Sequence, residues 1–351
     1  MDHDTLYASA PTVPEFKDCG FYHTMELPGH GLVRGVWDLR QGVDDYLGHV
    51  PLAGQRVLEI GPASGFLTVE MERRGAGVVA VEVLDEPGWD FVPYPAAYLE
   101  SVYAPRQEVM RRLKNSFWFT HAAHRSKAKL WYGDVYNLPE ALGHFDVAVM
   151  GAVLLHCHSP LRIVEQCAEL AETLIITDLF VPELAGQPVC RLHPNRVNQS
   201  WDTWWHFSPD FFVQFLGVLG FATPTVTTHV QYDRGQPSVF FTVVANRSQA
   251  GPSLAPAQIE VGARPQPADN ARLVQRLQRK NARLVRHQAA LEATLSWQLV
   301  QRLQRWRRVV APPDSRRERL WRVVVRRARA TGADATVVAP AQRTTGTNRG
   351  Q

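Results

Sequence analysis

Residues 55–65 read Gln-Arg-Val-Leu-Glu-Ile-Gly-Pro-Ala-Ser-Gly, an apolar run carrying an acid near its end and then a turn with glycines four residues apart. A short apolar run that passes through such a turn into amphipathic sequence fits a buried strand feeding a helix. The turn has to be tight. Gly61 and Gly65 allow bare backbone to come up against a bulky ligand at the strand end. Ala63, between them, is small enough for the same approach but resists positive φ. Glu59 stands at the strand end. A nicotinamide-binding turn of the form G-x-G-x-x-G is disfavoured, because Phe66 occupies the place of its last glycine.

The sequence downstream repeats this grammar. Val78–Val81 is an apolar, β-branched run closed by Glu82, about 20 residues past the turn, where nucleotide-binding α/β folds carry an acid for the ribose hydroxyls. Leu130–Val135 reads as a third strand running into a polar turn at Asp134, and Phe145–Met150 as a buried fourth. Pro160–Glu172 has helical spacing, Thr173–Thr177 is a fifth strand ending in Asp178, and Pro209–Leu219 is an amphipathic helix stopped at Gly220. Two last runs, Thr223–Gln231 and Val239–Ala245, read as a strand pair. Strand and helix alternating in this way predict a doubly wound, mostly parallel sheet.

The acid and glycines of 59–65, with Glu82, Asp134 and the strand after it, resemble the landmarks of class I S-adenosylmethionine (SAM)-dependent methyltransferases, in family order and spacing. The resemblance implies a Rossmann-like seven-stranded sheet with helices on both faces, closed by an antiparallel hairpin. It implies SAM as cofactor, held by Glu59, Gly61, Ala63, Gly65, Glu82, Asp134 and Val135, with Glu59 near the amino-acid moiety, Glu82 on the ribose and Asp134 facing the adenine amino group. Phe21-Tyr-His-Thr-Met-Glu-Leu27, Gly35-Val-Trp-Asp-Leu-Arg40 and Met150–Leu161 are similar to the branch related to the tRNA wobble-uridine carboxymethyl-transfer enzymes. In that branch the N-terminal segment, here residues 1–50, covers the cofactor, which makes Tyr22 and His23 candidate substrate contacts.

Ligands of open α/β sheets lie outside the carboxyl ends of the strands. This selects His156 after the fourth strand, Asp178 after the fifth, and His206 in the loop beyond as candidates for taking a proton from an acceptor hydroxyl, an office that suits histidine near neutrality. His156 ranks first, since it occupies the family's position beside the cofactor. Trp201 and Trp205 offer flat surfaces for a sugar ring or planar acceptor. Between Glu82 and the third strand, an excursion holding Trp89, Phe91, Tyr94, Tyr98 and Tyr103 precedes a helical stretch from Pro105 to His121. Its length suits a lid, and equally an aromatic seal on the sheet edge.

The chain has 351 residues, 45% of them hydrophobic, and a net charge of +4 that conceals a division. Up to Ala263 there are 18 basic against 29 acidic residues, and beyond it 20 against 5. The expected organisation is a cap segment (1–50), a methyltransferase domain (51–247), a linker rich in Pro, Gly and Ala (248–268), a basic helical or coiled-coil region (269–330) and a disordered tail (331–351). Val274, Leu277, Asn281, Leu284, Gln288, Leu291 and Leu295 alternate by three and four, as in a dimerising seam. Trp306, Trp321 and the valines among many arginines form a cationic amphipathic patch suited to an anionic membrane surface. The four cysteines lack C-x-x-C spacing, so no metal site is expected. No run is long enough to span a bilayer and the acidic N-terminus lacks a signal-peptide pattern, so a cytoplasmic enzyme, or one peripheral to the inner face of the membrane, is expected.

The stretch Leu295-Ser-Trp-Gln-Leu-Val-Gln-Arg-Leu303, with the Arg-rich sequence after it, is similar to the tails of bacterial cell-surface-glycan glycosyltransferases and their associated glycan-cluster methyltransferases. With the methyltransferase landmarks, this resemblance implies O-methylation of a sugar or glycan-linked acceptor. A tRNA wobble-uridine modifying enzyme is the nearest rival, disfavoured by the acidic catalytic region, so nucleic acid is the less favoured partner. A non-catalytic SAM-binding coiled-coil scaffold is another, disfavoured by the retained acids.

Overall fold

In the computed structural model, residues 6–9, 11–84, 89–222 and 224–247 are described. The linker, the 274–295 seam, the basic patch and the tail lie outside them. The elements in chain order are β1 (Met25–Leu27), β2 (Gly31–Val33), β3 (Trp37–Asp38), α1 (Val43–Tyr46), β4 (Arg56–Ile60), α2 (Phe66–Arg73), β5 (Gly77–Glu82), α3 (Ala96–His124), β6 (Lys129–Tyr132), β7 (Phe145–Gly151), α4 (Pro160–Leu170), β8 (Ala171–Leu179), β9 (Cys190–Leu192), β10 (Trp205–Phe207), α5 (Pro209–Val218), β11 (Thr225–Asp233) and β12 (Gln236–Asn246).

One sheet runs β3-β11-β12-β8-β7-β4-β5-β6. The five strands from β8 to β6 are mutually parallel, and β3, β11 and β12 are each antiparallel to the strand that follows in that order. Chain order reverses beside β4, which pairs with β5 on one side and β7 on the other. The β11–β12 hairpin turns on Arg234 and Gly235 at φ +46° and +77°, the left-handed pair that a two-residue hairpin favours.

Period-two alternation divides the strands between two apolar layers. Leu58, Ile60, Val79, Val81, Leu174 and Ile176 face Ile163, Val164 and Cys167 of α4 and Phe212 and Leu216 of α5. Val57, Val78, Val149 and Ile175 face Tyr46 of α1, Phe66, Leu67 and Met71 of α2, and Phe119 of α3. The second half of α3 also packs Phe117 and Trp118 on Ala80 and Leu130. Among the described residues no helix is long and apolar enough to cross a membrane. Cys19, Cys157 and Cys167 are buried free thiols, and Cys190 is exposed.

Two expectations change. The sheet has eight strands instead of seven, because Trp37 and Asp38 pair with Asp233 and Tyr232 at its edge. Packing holds them there: the Trp37 ring meets Phe240 edge-on at 5.3 Å and its indole N–H donates to the Tyr22 hydroxyl at 3.0 Å. The helical stretch expected from Pro105 begins at Ala96 and runs unbroken through the proline for 29 residues. A proline forfeits its own N–H bond and kinks more often than it ends a helix whose flanking turns are packed.

A buried polar chain ties the N-terminal segment to the sheet. Gln231 Nε2 donates to Gly42 O and His229 Nδ1, both at 2.9 Å, so His229 must donate from Nε2 to Thr242 Oγ1, at 2.9 Å. Burial lowers His229 to about 4, which keeps the ring neutral as this pattern requires. Thr242 donates onward to Asp45 O at 3.1 Å, and Thr177 to Tyr46 O at 2.7 Å. Thr242→Val keeps the volume but strands the His229 N–H and a backbone carbonyl. A loss of about 1–3 kcal/mol is expected in urea denaturation, against less than about 0.5 kcal/mol for an exposed Thr225→Val control.

Candidate functional site

The turn after β4 is built as a cradle. Gly61 and Gly65 lie at φ +72° and +83°, with Gly61 N donating to Val81 O at 2.9 Å and Gly65 N to Pro62 O at 2.8 Å. A Cβ on Gly61 would lie 2.9 Å from Val153 Cγ2, and one on Gly65 3.3 Å from Phe117 Cδ2. Ala63 adopts φ +50° despite its methyl group, at a cost of about 1–2 kcal/mol. Ser64 Oγ accepts from His23 N at 3.2 Å, so the N-terminal segment is fastened to the cradle. Gly35 makes that approach possible, since a Cβ there would stand 2.4 Å from the His23 carbonyl carbon.

Two acids face the cradle from neighbouring strands. Glu59 is 2% exposed, and its Oε2 accepts from Thr68 Oγ1 at 2.5 Å while Oε1 is buried without a partner. Burial raises its pKa to about 8, the Thr68 bond opposing and the Glu82 charge adding to the rise. Glu82 ends β5 and accepts from Val83 N at 2.8 Å. Asp134 lies exposed beyond β6 and closes its own turn, accepting from Tyr136 N at 2.9 Å and Asn137 Nδ2 at 2.5 Å. Val135 beside it is buried in the apolar layer of α4.

After β7, a single 3-10 turn, Leu154–His156, presents the histidine. His156 Nδ1 lies 2.6 Å from Asp202 O. A carbonyl only accepts, so Nδ1 carries the proton and the neutral ring keeps its lone pair on Nε2. Burial lowers the His156 pKa, with the Asp202 contact acting against it. Asp178 is buried, its Oδ1 accepting from Leu179 N at 2.7 Å and its Oδ2 without a partner, and burial raises it to about 7. His206 lies on the β9–β10 ribbon, paired with Arg191. Its ring packs tilted 4.3 Å from that of His193, and its Nδ1 accepts from Arg191 Nη2 at 3.0 Å. Burial, His193 and Arg191 lower it to about 4, and with its lone pair engaged it is poorly suited to take a proton.

The aromatic excursion roofs this region. Trp89 packs 5.1 Å from the His156 ring, and Phe91 stacks on Trp201 at 5.4 Å. Val92 N donates to Trp201 O at 2.9 Å, and the Tyr94 and Tyr98 hydroxyls to Asn195 O and Gln199 O at 2.9 and 2.7 Å. Asp90 is the anchor. Its carboxylate accepts from the Tyr136 hydroxyl and from His158 N, and its carbonyl from Trp204 Nε1 at 2.8 Å. Trp205 instead turns its indole N–H to Cys157 O at 3.1 Å, which makes it a brace for the His156 turn. Tyr22 is largely buried, with Arg106 and Asp202 near enough to affect its ionisation, and burial lowers His23 to about 4.

Among the described residues five buried side-chain atoms lack a hydrogen-bond partner: His23 Nδ1, Glu59 Oε1, Trp89 Nε1, Arg106 Nε and Asp178 Oδ2. All five residues stand at or beside the carboxyl ends of the parallel strands. Buried polar atoms are ordinarily paired, so this concentration is the physical mark of a polar ligand site. Beside it lies a cleft of about 380 Å³, lined by Val83, Leu84, Trp89, Phe91, Arg106 and Met110 among others. Among the described residues no group of His, Cys, Asp and Glu could hold a metal. Arg106, Ser64, Thr68 and Asp202 were not legible as site residues.

No family model and no curated protein matches the chain. Among solved structures it is similar to the N-terminal domain of EvdMO1, crystallised with S-adenosylhomocysteine and D-fucose, at 16% identity over 66% of this chain and 93% of that one, with a TM-score of 0.42. It is similar also to the 1,6-didemethyltoxoflavin-N1-methyltransferase of Burkholderia thailandensis, at 17% identity over 60% and 78% of the chains (TM-score 0.38). A third is the magnesium protoporphyrin IX methyltransferase of Synechocystis PCC 6803, at 18% identity over 59% and 83% (TM-score 0.37).

The state of Glu59 gives a pH test. Its folded pKa of about 8 lies above the ordinary 4.5, so between those values the unfolded chain ionises while the folded one holds its proton. Ligand-free protein should lose stability from this group as pH rises through that window. Glu59→Gln should therefore match wild type near pH 4.5 and exceed it by about 1–3 kcal/mol at pH 8.5, read from denaturation midpoints at both values.

Proposed function

We propose that this chain is a SAM-dependent methyltransferase acting on an oxygen of a sugar or glycan-linked acceptor. One observation carries the reading: the positive-φ cradle of Gly61, Ala63 and Gly65, with Glu59 and Glu82 beside it, opens at the point where strand order reverses, the place where doubly wound sheets bind nucleotides. The residues fit such a cofactor. Gly61 and Gly65 keep the turn tight where a Cβ would meet Val153 or Phe117, Glu59 Oε1 is a buried acceptor without a partner suited to an ammonium group, and Glu82 ends the neighbouring strand as a carboxylate suited to the ribose hydroxyls. Val83 and Leu84 continue from Glu82 along the cleft, where a purine face can lie, and Asp134 stands at the next strand end.

Bound there, SAM supplies a methyl group on a positively charged sulfur, open to in-line displacement. What the chain must add is alignment and a proton acceptor. His156 meets the second need: Asp202 O fixes the tautomer, leaving Nε2 basic, and the lowered pKa keeps the ring neutral at physiological pH. With the cofactor bound, the acceptor hydroxyl would lose its proton to Nε2 as the sulfur–methyl bond gave way to the oxygen–methyl bond, and the positive charge on the ring would be stabilised by the Asp202 carbonyl. Trp89 packs on the His156 ring, and Trp204 is held by the Asp90 carbonyl beside it. A nucleic-acid acceptor suits the first 263 residues poorly, given 29 acids against 18 bases.

Calorimetry on the full chain should show SAM and S-adenosylhomocysteine binding in the micromolar range, weakened by about 1.5–3 kcal/mol in Glu82→Ala. Absence of binding by the wild type would overturn the proposal. His156→Ala should keep cofactor affinity within about threefold while turnover on a responsive acceptor falls about 100-fold or more. The acid limb of the wild-type rate profile should lie below pH 6.5, the direction in which burial moves His156.

A further inference from the structure

The roof of the cleft contains a cation without a counter-ion. Arg106 lies in the first half of α3, its guanidinium carbon 3.8 Å from the centroid of the Trp89 ring and 5.6 Å from that of Trp201. Among the described residues it makes no hydrogen bond or ion pair, and its Nε is buried. Its neighbours on the helix are committed: Arg111 pairs with Glu108 at 2.8 Å, Arg112 bonds the Cys19 carbonyl, and Lys114 donates to Val83 O at 2.7 Å. Asp202 and Glu82 act on Arg106 only at longer range.

A second unpaired donor lies against it. Trp89 Nε1 is buried without a partner, on the ring that the guanidinium covers. Guanidinium and indole are donors only, so neither can satisfy the other. What satisfies both, and neutralises the charge, is an oxygen carrying negative charge, and the planar guanidinium suits carboxylate or phosphate. The same Trp89 ring contacts His156 at 5.1 Å, so such a group would lie next to the proposed base. The adjoining cleft of about 380 Å³, with Phe91, Tyr103 and Met110 in its wall, is large enough for a ring-sized body attached to the anion.

We infer that Arg106 and Trp89 form an oxyanion subsite for the methyl acceptor, so that the acceptor carries a phosphate or carboxylate group near the hydroxyl that is methylated. This rests on the methyltransferase reading. The cofactor's own carboxylate has the same chemistry, and the test separates the two sources.

Full-length protein saturated with S-adenosylhomocysteine is titrated by calorimetry with phenyl phosphate, benzoate and neutral benzyl alcohol, as wild type, Arg106→Gln and Arg106→Lys. At least one anion should bind, benzyl alcohol should bind at least about tenfold more weakly, and Arg106→Gln should weaken the anion at least about tenfold, with partial recovery in Arg106→Lys. Equal binding of neutral and anionic probes, no anion binding, or an unchanged Arg106→Gln overturns the inference. Affinities for S-adenosylhomocysteine and for 5′-methylthioadenosine, which lacks the carboxylate, form the second arm. Loss of the first alone in Arg106→Gln assigns the arginine to the cofactor and overturns the acceptor subsite. Failure of wild type to bind either nucleoside defeats the methyltransferase reading instead. Thermal melting supplies a third readout: ligand-free Arg106→Gln should melt at or above the wild-type temperature, because an uncompensated buried charge is removed, and a clear drop would mark a structural role and overturn the proposal.

Discussion

Strand β4, hemmed between β5 and β7 and parallel to both, is the constraint on which the site depends. From β4 the chain winds outward through α2 and α3 to β6, then returns to the other side and winds through α4 to β8. Right-handed crossovers in opposite directions place their helices on opposite faces, which leaves a crevice at the carboxyl end of β4. The loops that open into it begin at Gly61, Val83, Ala152 and Phe180. Chemistry-bearing residues far apart in sequence meet there because the winding reverses, and for no local reason.

Building such a crevice costs stability, and the cost falls on identifiable atoms. Glu59 retains one good partner in Thr68, Asp178 one in the Leu179 N–H, and both carboxyls are held above their ordinary pKa by burial. Ala63 carries left-handed strain in the cradle itself. These penalties are tolerated because the two apolar layers are continuous and because the chain from Gln231 to Tyr46 is fully paired. Strain concentrated at a ligand site and satisfaction elsewhere is the distribution expected of a functional cleft.

The N-terminal segment and the aromatic excursion turn an open crevice into a walled one. Tyr22 and His23 reach it because His23 N bonds Ser64, and Trp37 docks at the far sheet edge. The excursion reaches it because Asp90 gathers Tyr136, His158 and Trp204. Phe117 and Trp118 of α3 pack on the sheet at Ala80 and Leu130, while Tyr94 and Tyr98 of the excursion bond to the backbone of Asn195 and Gln199.

Gly61, Gly65, Glu59 and Glu82 were legible because their placement is local: a strand period decides which face an acid takes, and a tight strand-to-helix turn demands residues that reach positive φ. The order of strand and helix was legible for the same reason, including the closing strand pair, whereas its turn at Arg234-Gly235 came from the structure. Other decisions depended on distant partners. His156 and His206 are equivalent as residue types, and only the Asp202 carbonyl on one and the Arg191 guanidinium on the other distinguish a basic nitrogen from an occupied one. Trp205 reads as a flat stacking surface in the sequence, and only the fold sets its N–H on the Cys157 carbonyl. Arg106 is one base among several on an ordinary helix face, and its isolation above Trp89 is a property of the tertiary structure. Backbone conformation and burial pattern are written within a few residues of sequence, whereas tautomer, charge pairing and the company a side chain keeps are set by atoms that folding brings from elsewhere in the chain.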